Sequence, residues 1–264
     1  MELNLTGRTA LIAGGSKGIG LAIAKSLAAE GCHLHLAART ESELKKVAEE
    51  ISGRHGVKVA IHPGDLTDSA HVKAVAAACG EVDILVNSAG GIPRGTLLEI
   101  DEQRWRSAWD LKVFGSINLT REIYGPMCRR GKGVIINIVG VSADRPDAYY
   151  IAGSSGNAAL AMFSRSLGGD SIRYGVRVIA VNPGPVETEK HIGDTERLAQ
   201  ERFGDKSRWR DIMAGLPMKR AATPDEVSNM VAFLASDLAS YISGSVVTID
   251  GALLSDSALG VKRG

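Results

Sequence analysis

Short runs of apolar, β-branched residues recur along this chain, and between them apolar residues fall every three or four positions. The runs lie at 9–13, 33–37, 58–62, 84–87, 134–138, 177–181 and 245–249. Their continuous apolar character fits strands buried on both faces. The intervening segments have helical spacing: Ile19, Ala22, Ile23, Ser26 and Leu27 share one face, as do Val227, Met230, Val231 and Leu234. This alternation predicts an α/β fold, a single-domain Rossmann-like doubly wound parallel sheet with helices on both faces, spanning 1–264. The least regular stretch runs from Pro183 to about Pro224. A lid-like segment is expected there, at about 185–222, over the carboxyl ends of the strands where ligands bind. The alternative is a surface excursion that packs on a partner subunit.

Composition narrows the class. Apolar residues make up 44% of 264, enough for one sizeable core. A net charge of +1 suggests neither a nucleic-acid nor a membrane-surface partner. No run approaches the roughly 18 apolar residues of a membrane span. The start, Met1-Glu2-Leu3-Asn4-Leu5, lacks the basic region and long apolar run of a signal peptide, so a cytoplasmic protein is expected. Cys32, Cys79 and Cys128 are far apart, odd in number and without metal spacing; reduced thiols and no metal site are expected.

The chemistry begins at Gly14-Gly15-Ser16-Lys17-Gly18-Ile19-Gly20, between the first strand and the first helix. Gly14 permits the turn, and Gly18 and Gly20 let the backbone approach a pyrophosphate at the positive end of the helix. Arg39 ends the second strand, about 20 residues on. An acidic residue there would hold the ribose 2′-hydroxyl of NAD, whereas arginine favours the 2′-phosphate of NADP, and Lys17 adds a second cation. NADP is therefore the expected cofactor, ahead of NAD. Asp65 and Leu66 are placed at the adenine, and Asn87, Ala89 and Gly90 at the adenosine ribose. Pro183, Gly184, Val186 and Thr188 are placed near the nicotinamide carboxamide.

These motifs, with Ile135-Ile136-Asn137-Ile138 and the stretch from Ser240 to Gly251, make the chain resemble the short-chain dehydrogenase/reductases over nearly its full length. The resemblance implies a nicotinamide-linked oxidoreductase whose family chemistry uses a tyrosine, a lysine four residues on, a serine thirteen residues before the tyrosine, and an asparagine in the fourth helix. Laid on this sequence, the tyrosine falls at Gly153, the lysine at Asn157, the serine at Gly140 and the asparagine at Asp110. All four are changed. Asn157 keeps the capacity to hydrogen-bond the nicotinamide ribose. The two glycines suggest an enlarged cavity beside the nicotinamide.

Substitutes lie nearby. Tyr150 is seven residues before Asn157, the spacing found in enoyl reductases, a divergent branch of the family, and is the candidate for proton transfer. Its alternative is a packed aromatic pair with Tyr149. Ser142, Ser154, Ser155 and His191 are weaker candidates. Asp110 is either a buried acid or a helix-face carboxylate paired with a cation. Three functions remain open: an NADP-linked oxidoreductase with a rebuilt site, a catalytically silent nucleotide-binding subunit or regulator of a mixed oligomer, and a non-redox lyase or isomerase. The resemblance also implies a homodimer or homotetramer.

Overall fold

The computed structural model describes residues 2–256. Among them, seven strands form one parallel sheet in the order β3-β2-β1-β4-β5-β6-β7. The strands are β1 Thr9–Ala13, β2 His33–Ala38, β3 Val59–Pro63, β4 Ile84–Asn87, β5 Gly133–Ile138, β6 Val176–Pro183 and β7 Ser245–Ile249. All seven expected strands are present. β2, β5 and β6 run longer than their apolar cores, and β3 is displaced by one residue.

Successive side chains of a strand point to opposite faces, and here both faces are covered. Ala10 and Ile12 of β1 with Leu34 and Leu36 of β2 pack under α1 (Gly18–Ala29), α2 (Glu41–His55) and α9 (Pro224–Ala235). Leu11, Ala13 and Ala37 face the other layer, where α3 (Ser69–Cys79) and α5 (Ser116–Arg130) contribute Val72, Val75, Leu119 and Ile123. α6 (Ile151–Ser171) continues that layer, with Leu160 packed against Ala180.

The sheet order reverses between β1 and β4, which opens a crevice at the carboxyl ends of these strands. α4 (Glu102–Trp109) leads into a π-helical turn, Asp110–Gly115, before α5 starts. Such turns widen the helix and re-aim its side chains. The stretch expected to be irregular, 183–224, instead contains α7 (Glu189–Phe203) and the short α8 (Trp209–Met213), with a small core of Ala199, Trp209, Met213 and Ala221. No helix among the described residues is long and apolar enough to cross a membrane.

Candidate active site

A cavity of about 1100 Å³ occupies the crevice. Gly14, Ser16, Lys17, Gly18, Ile19 and Gly20 form one wall, Ala89 and Gly90 the opposite wall, Arg39 and Leu66 one end, and Lys112, Val139 and Thr188 the other. The close approach of the walls depends on missing side chains. Gly14 has φ +83°, and a Cβ there would fall 2.8 Å from the backbone nitrogen of Ala89. A Cβ on Gly20 would collide with the carbonyl oxygen of Gly14.

The phosphate-binding character is open rather than self-satisfied. Lys17 is the N-cap of α1, and no side chain caps the first turn, which also holds no acidic residue. Its backbone N–H groups and the helix dipole therefore favour an anion from the cleft. Lys17 Nζ is paired with Glu43 Oε1 at 3.2 Å, and Ser16 Oγ donates to Glu43 Oε2 at 3.4 Å. Thr188 faces Gly18 and caps α7, its Oγ1 accepting from the N–H of His191 at 3.2 Å.

Several expected cofactor residues do not line the cavity. Asp65 is exposed, and the N–H of Thr67, donating at 2.9 Å, holds its carboxyl below the ordinary range. Asn87 is buried within the fold: its Nδ2 donates to Thr120 Oγ1 at 3.0 Å and to Asn137 Oδ1 at 2.8 Å. That side chain ties β4 to β5 and α5; only the backbone beyond it reaches the cleft. Pro183, Gly184 and Val186 shape the chain leading to Thr188, and Val186 is buried in the core.

The enlarged cavity expected from the two glycines is not present. A Cβ on Gly153 would fall on Cε1 and Cζ of Tyr150, whose ring fills that space. A Cβ on Gly140 would sit 2.9 Å from Asn157 Nδ2. That nitrogen donates to Ser142 Oγ at 2.9 Å, while Asn157 Oδ1 is buried without a partner. Asn157, the remaining expected ribose contact, is 2% exposed and does not line the cavity, so in this structure its amide holds the loop after β5 through Ser142.

Tyr150 is half-buried with Ile92, Ile100, Trp105 and Trp109, and lies outside the cavity lining. Burial pushes its phenol up, against the smaller opposing effect of Arg94, whose guanidinium lies 5.5 Å from the ring centre. Its hydroxyl, one bond beyond Cζ, stops well short of where the hydroxyl of a tyrosine at 153 would reach. Tyr149 is exposed, so the two rings are not a packed pair. Ser154 and Ser155 hydrogen-bond the backbone around the start of α6. Burial pushes the His191 imidazole down from its ordinary value, and the side chain lies outside the cavity lining. Asp110 is exposed on its helix face and is not a buried acid; the nearby Arg106 pairs with Glu102.

The residue that sequence reading missed is Lys112. It stands two positions beyond Asp110, lines the cleft, and is 9% exposed. Its Nζ donates to the carbonyl oxygen of Val139 at 3.1 Å and, at 3.5 Å, to that of Ile138. Burial, and then the like charge of Lys190, push its ammonium down to about 8. The only signal in the sequence was a lysine flanked by the apolar residues Leu111 and Val113.

Away from the cleft, the fold brings together His35, His62 and Cys79, which the sequence spacing did not suggest, with ligand atoms within 4.8 Å of one another. His35 Nδ1 and His62 Nε2 are 2.9 Å apart, shorter than the roughly 3.3 Å separating two nitrogens on one tetrahedral zinc. They form a hydrogen-bonded pair of imidazoles in the α3 layer.

Comparison with known proteins agrees with this architecture. Residues 13–253 match the family model described as enoyl-(acyl carrier protein) reductase. The chain is 30% identical over 260 residues to the 3-oxoacyl-[acyl-carrier-protein] reductase FabG of Chlamydia muridarum, covering 96% of this chain and all of that one. It is 35% identical over 254 residues to the oxidoreductase UcpA of Salmonella typhimurium, covering 94% of each. The crystal structure of L-sorbose reductase from Gluconobacter frateurii, complexed with NADPH and L-sorbose, superposes with a TM-score of 0.92 at 34% identity, covering 96% and 99% of the two chains. Actinorhodin polyketide ketoreductase with NADPH superposes with a TM-score of 0.88 at 28% identity, covering 94% and 97%. This chain belongs to the short-chain dehydrogenase/reductase family.

Proposed function

We propose that this protein is an NADP(H)-dependent oxidoreductase that reduces a carbonyl substrate through a rebuilt active site. The observation that carries the reading is the end of the cleft at β2, where Arg39 and Lys17 line the wall and the position that would hold a ribose diol is cationic. Two cations there fit the 2′-phosphate of NADP. The uncapped first turn of α1 fits the pyrophosphate. Gly14, Ser16, Gly18, Ile19, Gly20, Leu66, Ala89, Gly90 and Thr188 supply the remaining walls. When bound, the nicotinamide supplies the hydride. The chain's own task is to hold the carbonyl against it and to supply a proton to the oxygen. NADPH-complexed reductases of L-sorbose and of a polyketide among the structural neighbours support the cofactor and the reaction class.

The test is NADPH oxidation, followed by absorbance, against a panel of ketoses, 3-oxoacyl thioesters and small diketones. Turnover with any of them supports the reading. Saturable NADPH binding without turnover across the panel favours the second reading, a silent nucleotide-binding subunit, which Gly140 and Gly153 motivate because neither has a side chain to offer. Exposed Phe114, Met162 and Tyr241 are consistent with a homo-oligomer, which light scattering on the purified chain measures directly.

A further inference from the structure

We infer that Lys112 is the proton-donating residue of this cleft, its ammonium placed on the substrate oxygen from the π turn rather than from α6. The inference rests on the oxidoreductase reading above.

The position is built. Gly90 has φ +110°, and a Cβ there would fall 2.7 Å from Lys112 Cβ, so the loop after β4 and the π turn are in close contact. This contact fixes the stem of the side chain. Its head then reaches the end of β5, where the carbonyls of Val139 and Ile138 take two of its three N–H donors. No carboxylate pairs with Lys112 among the described residues; the one charge acting on it is a second cation, Lys190.

That arrangement is costly. Burying an unpaired ammonium opposes folding by several kcal/mol, whereas two carbonyls at a strand end are satisfied equally well by a neutral amide. A structural role alone does not account for a charge here. A cation that lines a ligand cleft with one donor still free does.

Location points the same way. Arg39 follows β2 and Val139 follows β5, three strand spacings away, about 14 Å. A dinucleotide with its phosphorylated ribose at Arg39 has its reactive end at the Lys112 end of the cleft.

The chemistry balances. As hydride joins the carbonyl carbon, the C–O π pair moves to oxygen and takes a proton from Nζ. The amine left behind is neutral and regains its proton from water. In the alcohol-oxidising direction the neutral amine accepts the hydroxyl proton. Burial and Lys190 bring this ammonium close to neutral pH, where an acid–base group works in both directions. The competing groups are poorly placed: Tyr150 and His191 lie outside the lining, and Asp110 is exposed. Around Lys112, α7 presents Lys190, while Gly90, Ile138 and Val139 present no titratable side chain.

The test follows the ammonium itself. In the full chain labelled with ¹⁵N-lysine, the ζ-ammonium resonance that disappears in Lys112→Met is titrated with pH, with and without NADP⁺, while calorimetry reports whether the nucleotide binds. Lys112→Gln, which keeps a polar donor for the β5 carbonyls, provides the assignment where the methionine variant does not fold. A midpoint near 8 that falls further in saturating NADP⁺, whose oxidised ring is cationic, supports the inference. A midpoint above 10, or one that bound NADP⁺ leaves unmoved, overturns it while the nucleotide reading stands. Absence of nucleotide binding overturns that reading and the proton role with it. With a substrate from the panel, Lys112→Gln is expected to lower kcat by roughly 10²- to 10⁴-fold, with NADPH affinity changed only a few-fold.

Discussion

The ring of Tyr150 stands where a side chain at Gly153 would have to begin. Position 153 is therefore closed by a neighbour and not merely empty. Gly153→Ala should destabilise the fold by roughly 1–3 kcal/mol, the usual cost of overpacking a filled site. Shortening Tyr150 to alanine in the same chain should remove most of that penalty. Urea unfolding of the two single variants and the double variant measures the coupling. Strictly additive costs would contradict the contact.

Tyr150 itself is expected to contribute packing and not protons. Its phenol is pushed up by burial and its ring lies outside the cleft lining. Tyr150→Phe should therefore change turnover by less than about tenfold, below the range typical of losing an acid–base group. A loss of 100-fold or more, with NADPH binding intact, would return the role to Tyr150.

Lys17 is not free in this structure, because Glu43 sits 3.2 Å from its Nζ. The pair is exposed and worth little to the fold. Its carboxylate nevertheless stands beside the surface expected to receive a phosphate. Glu43→Gln should tighten NADPH up to about fivefold at low ionic strength, with little change for NADH, and the gain should shrink in high salt. Titrations at two salt concentrations decide it; weaker NADPH binding in the variant would show that Glu43 orients Lys17 productively.

The ammonium of Lys112 also leaves a signature on stability. Its ordinary value of 10.5 applies to the unfolded chain, and about 8 to the folded one. Between these pH values the unfolded state binds more protons, so stability rises with pH. Below about 8 both states are protonated and the full burial cost, about 3 kcal/mol, is present. Lys112→Met should lack this rise between pH 8 and 10.5. Measuring the difference between wild type and variant cancels the thiols of Cys32 and Cys79, which burial raises to about 12 and which act in the opposite direction. A parallel pH dependence for the two chains would contradict a buried ammonium.

The strands and the glycine turn were legible in the sequence because parallel strands buried on both faces read as unbroken apolar runs, and because a strand–glycine–helix order has one strong physical use. α7 was not legible. Its sequence is largely polar, and its inward positions, such as Ile192, Ala199 and Phe203, are too sparse to mark a helix against Gly193. Asn87 was assigned to the ribose from its loop context, but its amide is used to join β4 to β5, a contact 50 residues away in sequence. Lys112 was hidden for a related reason. A lysine in a helical stretch reads as a solvated face, and only the π turn and the carbonyls of Ile138 and Val139 at the end of β5 turn it inward. The family pattern itself led to Asp110, two residues short of the side chain that lines the cleft.

The most direct measurement is a calorimetric titration of the purified chain with NADPH and with NADH, repeated on Arg39→Ala. NADPH should bind more tightly than NADH, and Arg39→Ala should lose about 10- to 100-fold in NADPH affinity, the worth of one charge-assisted contact, while NADH is little affected. Equal affinities for the two nucleotides, or an Arg39 variant that binds NADPH as well as wild type, would contradict the account.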